Sequence, residues 1–219
     1  MKRITLILCI LFSLISCEIQ YDGETKIVVT GKIIDQNGNP IPEKNIDITI
    51  YSDDMYTPSD LISYGKSDQN GNFTLIFPAP KVDYKFSVSI NNLINQTSEF
   101  QAKEIIAKKI NFENYKLDLD KITLYKRESI TTLKLILNHT STNKQLKDIE
   151  IEGKQANSYI DLNPLQNNSD YLNTYYSVVK NQTILLKYTI IDHSNAATPT
   201  AHSISIPIIN DAVTYTITY

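Results

Sequence analysis

After residue 25 the chain alternates apolar and polar positions with a period of two. Ile27, Val29, Gly31 and Ile33 share one parity within residues 26–34, and Ile46, Ile48 and Ile50 do so in Asn45–Tyr51. Val82, Tyr84, Phe86, Val88 and Ile90 alternate with Asp83, Lys85, Ser87 and Ser89. Ile122 and Leu124 follow, then Leu133, Leu135 and Leu137. The pattern returns in residues 184–190 and 204–208, and closes on Val213, Tyr215, Ile217 and Tyr219, interleaved with threonines. Side chains at i and i+2 leave a strand on the same side, so each stretch predicts a strand with one buried and one wet face. A long 3.6-residue apolar stripe is missing, and the nearest approach, residues 99–110, predicts one or two helical turns. The expected class is all-β, built as sandwiches.

The N-terminus departs from this pattern. Lys2 and Arg3 precede about a dozen mostly apolar residues, Ile4 to Ile15. This is the layout of a secretory signal, and it is too short to span a bilayer. Of the two cysteines, Cys9 lies inside the apolar run and Cys17 just after it. Cleavage before Cys17 would leave one cysteine, so no disulfide within the mature chain is expected. Residues 154–172 also break the alternation. They are rich in Asn, contain Pro164, and predict a long loop with one short strand at most. Long loops at sandwich ends are common places for binding.

Leu14-Ile15-Ser16-Cys17 resembles the lipobox of bacterial lipoproteins. The resemblance implies cleavage after residue 16, acylation of Cys17 with fatty chains such as palmitate, and a membrane anchor. Two or three chains hold stably, at roughly 0.8 kcal/mol per buried methylene, where one would not. Glu18 follows the cysteine in place of the Asp that some members use for inner-membrane retention, so the resemblance implies the outer membrane and leaves its face open. Residues 17–25 are expected to be a tether of about eight residues, roughly 25 Å when extended.

A second resemblance covers residues 26–126. Thr30-Gly31-Lys32-Ile33-Ile34-Asp35, then Gly38, Pro40 and Pro42, then Ile46 and Ile48, then Lys66-Ser67-Asp68, Gly71 and Phe73 are similar to the carboxypeptidase-regulatory-like domain. That family implies a seven-stranded, transthyretin-like sandwich over residues 26–127, an appendage and not a catalytic part. Residues 128–219 predict a second β-sandwich of six or seven strands. Within the first half, Asp-Gln-Asn-Gly-Asn occurs at 35–39 and again at 68–72. Asn-Gly supplies the positive φ of tight turns. Calcium is the sharper alternative, but an EF-hand loop needs Gly sixth and Glu twelfth. Here Gly is fourth, and the twelfth positions are Ile46 and Ala79, so turns are expected and no metal site.

Composition narrows the function classes. Lys and Arg total 21 against 24 Asp and Glu, a balance that argues against nucleic acid as partner. His139, His193 and His202 form no zinc-peptidase motif. Asp192-His193-Ser194 has the letters of a triad, but neighbours on one strand face opposite ways. No phosphate-cradling Gly loop occurs, and no cofactor is expected. The reading is a non-enzyme: a tethered binding or scaffold protein, anchored in the membrane through Cys17, with an envelope protein as partner. Glycan binding is the alternative, and a hydrolase with an unrecognised site stays open. Trp is absent while Tyr numbers 14. Tyr171, Tyr175 and Tyr176, after the Asn-rich loop, are the candidate partner-binding residues.

Overall fold

The computed structural model describes residues 19–51, 59–81, 83–92, 98–164, 172–194, 196–209 and 211–219. Cys17 and Tyr171 lie outside them. Among the described residues the chain is all-β, with fourteen strands in four sheets.

The first sandwich faces a three-stranded sheet against a five-stranded one. The smaller sheet is ordered β4-β1-β7, with β1 at Tyr21–Ile34, β4 at Asn72–Pro80 and β7 at Lys116–Thr123. The larger is ordered β10-β6-β5-β2-β3, with β2 at Asn45–Tyr51, β3 at Asp60–Lys66, β5 at Lys85–Ile90, β6 at Lys103–Lys108 and β10 at Tyr159–Asp161. The alternating residues meet between the sheets: Val29, Ile33, Ile46, Ile48, Ile50, Val88 and Ile90 are fully buried. Gly31 sits opposite Phe73 in the β1–β4 register. A Cβ at Gly31 would stand 2.8 Å from the Phe73 ring, so the missing side chain is what admits the ring to the core.

The second sandwich has its own core around Leu133, Leu135, Ile184, Leu186, Ile208 and Ile217. One sheet is ordered β11-β8-β14, from β8 at Ile130–Asn138, β11 at Tyr175–Val179 and β14 at Ala212–Thr218. The other is ordered β13-β12-β9, from β9 at Lys144–Glu152, β12 at Gln182–Asp192 and β13 at Thr198–Ile208. Prolines fall where the ladder tolerates a missing N–H. Pro78 and Pro80 lie in β4, Pro199 and Pro207 in β13, and both strands are sheet edges.

Three expectations need correction. Residues 99–110 hold no α-helical turn: β6 runs through them and ends in a 3-10 turn at Lys109–Asn111. Ile105, Ile106 and Ala107 are buried in succession, and such a run gives no period from which to tell strand from helix. The segment from residue 19 onward is not a slack tether. Ile19 is 5% exposed within the first core, Lys81 N–H donates to Gln20 O at 2.9 Å, and β1 already pairs at Tyr21. Finally, the first sandwich does not close at residue 127. Backbone from the second half returns as β10, parallel to β6, and Ile160 packs on the first core. An open edge on β6 offers N–H and C=O groups that the passing loop satisfies.

The repeated Asp-Gln-Asn-Gly-Asn segments are one turn used twice. Asp35 Oδ1 accepts the N–H groups of Asn37 and Asn39, each at 2.8 Å, and Gly38 N–H donates to Asp35 O at 3.1 Å. Asp68 repeats this with Asn70, Asn72 and Gly71. The Asn39 side-chain amide, followed by the turn's N–H groups, holds the Asp35 carboxyl below its ordinary pKa; for Asp68 the Asn72 N–H leads. The carboxylates therefore serve their own loops. The two glycines differ. Both have positive φ, but a Cβ at Gly71 would lie 2.3 Å from Ile33 O, whereas Gly38 faces open space.

Gly71→Ala is expected to destabilise by about 3 kcal/mol or more, through strain plus backbone clash, and Gly38→Ala by about 1 kcal/mol, through strain alone; urea denaturation compares them. Equal losses would remove the distinction. Calcium or a chelator should move the melting temperature by under about 1 °C. A calcium-dependent rise abolished by Asp35→Ala or Asp68→Ala would restore the metal reading. Because both folded-state pKa values are depressed, the carboxylates' contribution is present above the unfolded value and lost as pH falls through the folded one. Stability should thus fall below about pH 5, with a shallower fall in Asp68→Asn, measured as denaturation midpoint against pH.

Candidate functional site

The two poles of the first sandwich carry different things. At one, β1 ends, both Asp-Gln-Asn-Gly-Asn turns lie, and Ser129 Oγ meets Gln36 Oε1 at 3.2 Å where the chain passes into the second sandwich. At the other, the chain enters at Ile19, β4 ends, β5 and β7 begin, and β6 runs into its 3-10 turn.

This entry pole holds a cavity of about 810 Å³. Its floor is apolar: Ile27, Ala79, Phe86 and Phe112, with the two phenylalanine centroids 4.9 Å apart and tilted by 55°. Tyr84 and Tyr115 add aromatic walls, and Asp22, Lys81, Asp83 and Lys109 give a charged rim. The opening owes its shape to a break in register. Asp22 pairs with Ala79 and Lys26 with Pro78, so residues 23–25 bulge out of the ladder. Asp22 closes that bulge by accepting Thr25 Oγ1–H at 2.5 Å and Glu24 N–H at 3.0 Å. The Thr25 hydroxyl, then the Glu24 amide, lower the Asp22 pKa, so this carboxyl is ionised and occupied. Asp83 pairs with Lys109 at 3.2 Å, both well exposed, so the bridge adds little stability. No His, Cys or Ser is among the described residues that line the cavity. Aromatic faces with a mixed-charge rim are suited to holding a ligand that is apolar on one side and polar on the other.

The candidate tyrosines are not brought to one face. Tyr175 is 58% exposed on the outer face of its sheet, opposite Lys134, whose Nζ lies 5.5 Å from the ring centroid. Tyr176 points the other way, packs against the second core and donates its hydroxyl to Asn173 O at 2.9 Å. Burial raises its pKa. Strand alternation alone implied this split. The triad letters make no relay, for another reason. Asp192 ends β12 and the next two residues turn; Ser194 N–H and Oγ–H both go to Asp192 Oδ1, while His193 Nε2 approaches Gln145 at 3.4 Å. The other histidines stack on tyrosines, His139 on Tyr219 and His202 on Tyr188, each at 4.9 Å. The entry-pole cavity went unseen in the sequence because its lining comes from three separate segments, 22–27, 79–86 and 109–115.

No protein-family model matches the chain, and no curated protein matches it. Solved structures with some likeness include a 9R-lipoxygenase from Cyanothece PCC8801, at 21% identity and TM-score 0.30, covering 54% of this chain and 20% of that one. A 3-chlorocatechol 1,2-dioxygenase from Rhodococcus opacus 1CP gives 16% identity and TM-score 0.33, covering 49% and 61%. A shaft pilin from Lactobacillus rhamnosus GG gives 8% identity and TM-score 0.35, covering 89% and 98%. The chain thus spans a minor part of the lipoxygenase and 61% of the dioxygenase. Likeness at this level carries no conclusion about activity or partners.

Tyr175→Ala should leave stability within about 0.5 kcal/mol, and Tyr176→Ala should cost about 2–3 kcal/mol by opening the second core. Thermal or chemical denaturation of the two variants checks this. Equal effects would mean that Tyr176 is not a core residue.

Proposed function

We propose that the protein is a non-catalytic binding or scaffold lipoprotein of the bacterial cell envelope, held at the outer membrane by acyl chains on Cys17. The observation that carries this reading is the run from Ile4 to Ile15 closing on Ser16-Cys17, followed after Glu18 alone by a residue packed in a β-sandwich core. The first sandwich, of the carboxypeptidase-regulatory-like kind, acts as the mounting. The second presents the Asn-rich loop and Tyr175 to an envelope protein. Glycan recognition is the second reading, supported by the aromatic walls of the entry-pole cavity.

Intact mass of the membrane-extracted protein should show loss of residues 1–16 and the added mass of acyl chains on Cys17. An unmodified Cys17, or a retained signal segment, would overturn the anchor. Crosslinking of the native lipoprotein, paired with a glycan array, separates the two ligand classes. A protein partner lost in Tyr175→Ala, a variant expected to stay folded, supports docking; a glycan hit without a protein partner replaces it. Hydrolysis of peptides or glycans by the pure protein would overturn the non-catalytic reading.

A further inference from the structure

Anchoring at Cys17 has a geometric corollary that rests on the lipoprotein reading. A tether of eight residues would let the sandwich stand off the bilayer and tumble. The folded chain allows much less. Glu18 alone separates Cys17 from buried Ile19, two residue steps or roughly 7 Å at full extension, and Gln20 is already bonded to Lys81. An acylated Cys17 could therefore reach no farther than about 7 Å from Ile19 at the entry pole, and that pole has the makings of a lipid-facing surface.

Ile110, in the 3-10 turn after β6, is 82% exposed, more than any other large hydrophobic side chain among the described residues. Tyr115 is 60% exposed, displayed at a turn where Asn114 and Tyr115 both adopt positive φ, 49° and 64°. The turn is held by Val28 N–H donating to Tyr115 O at 2.9 Å and by reciprocal bonds of Glu113 with Lys116. Around these apolar tips the entry cavity and the smaller hollow beside it are lined by Lys81, Lys85, Lys108 and Lys109 against Asp22 and Asp83. Glu24 and Glu113 border the same region. With these, four lysines and four acids share the pole, so in a protein of net charge −3 its charges balance. Tyrosine, isoleucine and long-stemmed lysine are the residues that settle at a headgroup boundary, apolar parts down and charges at phosphate level.

We propose that the entry pole of the first sandwich, led by Ile110 and Tyr115, rests on the phospholipid surface beside the lipidated Cys17, so that the molecule stands with its repeated turns and second sandwich directed away from the membrane. The occupant of this face is the bilayer itself.

The chain has no tryptophan, so a single introduced one reports its position without background. The mature lipoprotein with Ile110→Trp, and separately with Asn37→Trp at the opposite pole, is reconstituted into phosphatidylethanolamine–phosphatidylglycerol vesicles. The vesicles contain phospholipids brominated near the top of the acyl chains. In the floated fraction Ile110→Trp should be quenched about twofold, as for a side chain 5–10 Å into the boundary, and Asn37→Trp, roughly 35 Å away along β1, should be unaffected. Floated protein with neither probe quenched, or both alike, overturns the contact and leaves the anchor standing. Shielding of Ile110→Trp from acrylamide without bromolipid quenching, together with crosslinking between copies, assigns the face to a second copy and also overturns it. Failure of the protein to float overturns the lipoprotein reading and this contact with it.

Discussion

Strand β1 is the member on which the first sandwich hangs. It is the only strand paired on both sides within its sheet, antiparallel to β4 and parallel to β7. Its inward residues Ile27, Val29 and Ile33 reach the opposite sheet, and Gly31 leaves the gap that Phe73 fills. Its two ends define the poles. The bulge at 23–25 opens the entry cavity, and the first Asp-Gln-Asn-Gly-Asn turn caps the other end. A one-residue slip in its pairing would turn every one of these contacts inside out.

The second half is attached by more than a peptide link. The chain leaving β9 pairs first with its own sandwich, Ala156 N–H donating to Ser177 O at 2.8 Å, and then crosses to the first, Glu104 N–H donating to Ser158 O at 2.7 Å. At the junction itself Arg127 Nε donates to Ser98 O at 3.1 Å, and the exposed pair Lys126–Glu99 lies alongside. Asn91 holds the loop ahead of β6, its side-chain amide sharing two N–H groups among Ser98 Oγ, Phe100 O and Gln101 O. These are directional bonds at a small contact, so they set an orientation even where each contributes only about 1 kcal/mol.

The all-β class was legible because residues such as Ile46, Ile48 and Ile50 alternate without interruption, and alternation is dictated by strand geometry. Legibility failed where burial is two-sided or absent. In β6 the neighbours Ile105 and Ile106 are both buried, which erases the period. In β3 the edge position leaves Leu61 and Tyr64 exposed, so no buried face marks it. β10 is only three residues long and owes its strand form to the edge of β6, a partner about fifty positions earlier that no local pattern announces. The candidate site suffered similarly. Tyr175 and Tyr176 looked like one cluster in the linear chain, yet adjacent positions on a strand cannot share a face.

The parallel pairing of β14 with β8 bears on how this protein is made. Thr131 Oγ1 donates to Asp211 O across 80 positions, and Ala212 to Thr218 pair residue by residue with Thr132 to Asn138. Closing a loop of that size costs about 4 kcal/mol of chain entropy before the first contact forms. One hydrogen-bonding edge of β8, from Thr132 to Asn138, therefore waits unpaired while some eighty further residues emerge, as expected for non-local parallel pairings, which form slowly. During synthesis that edge needs shelter from other strands, and the timing of its last strand sets the pace at which the second half becomes native.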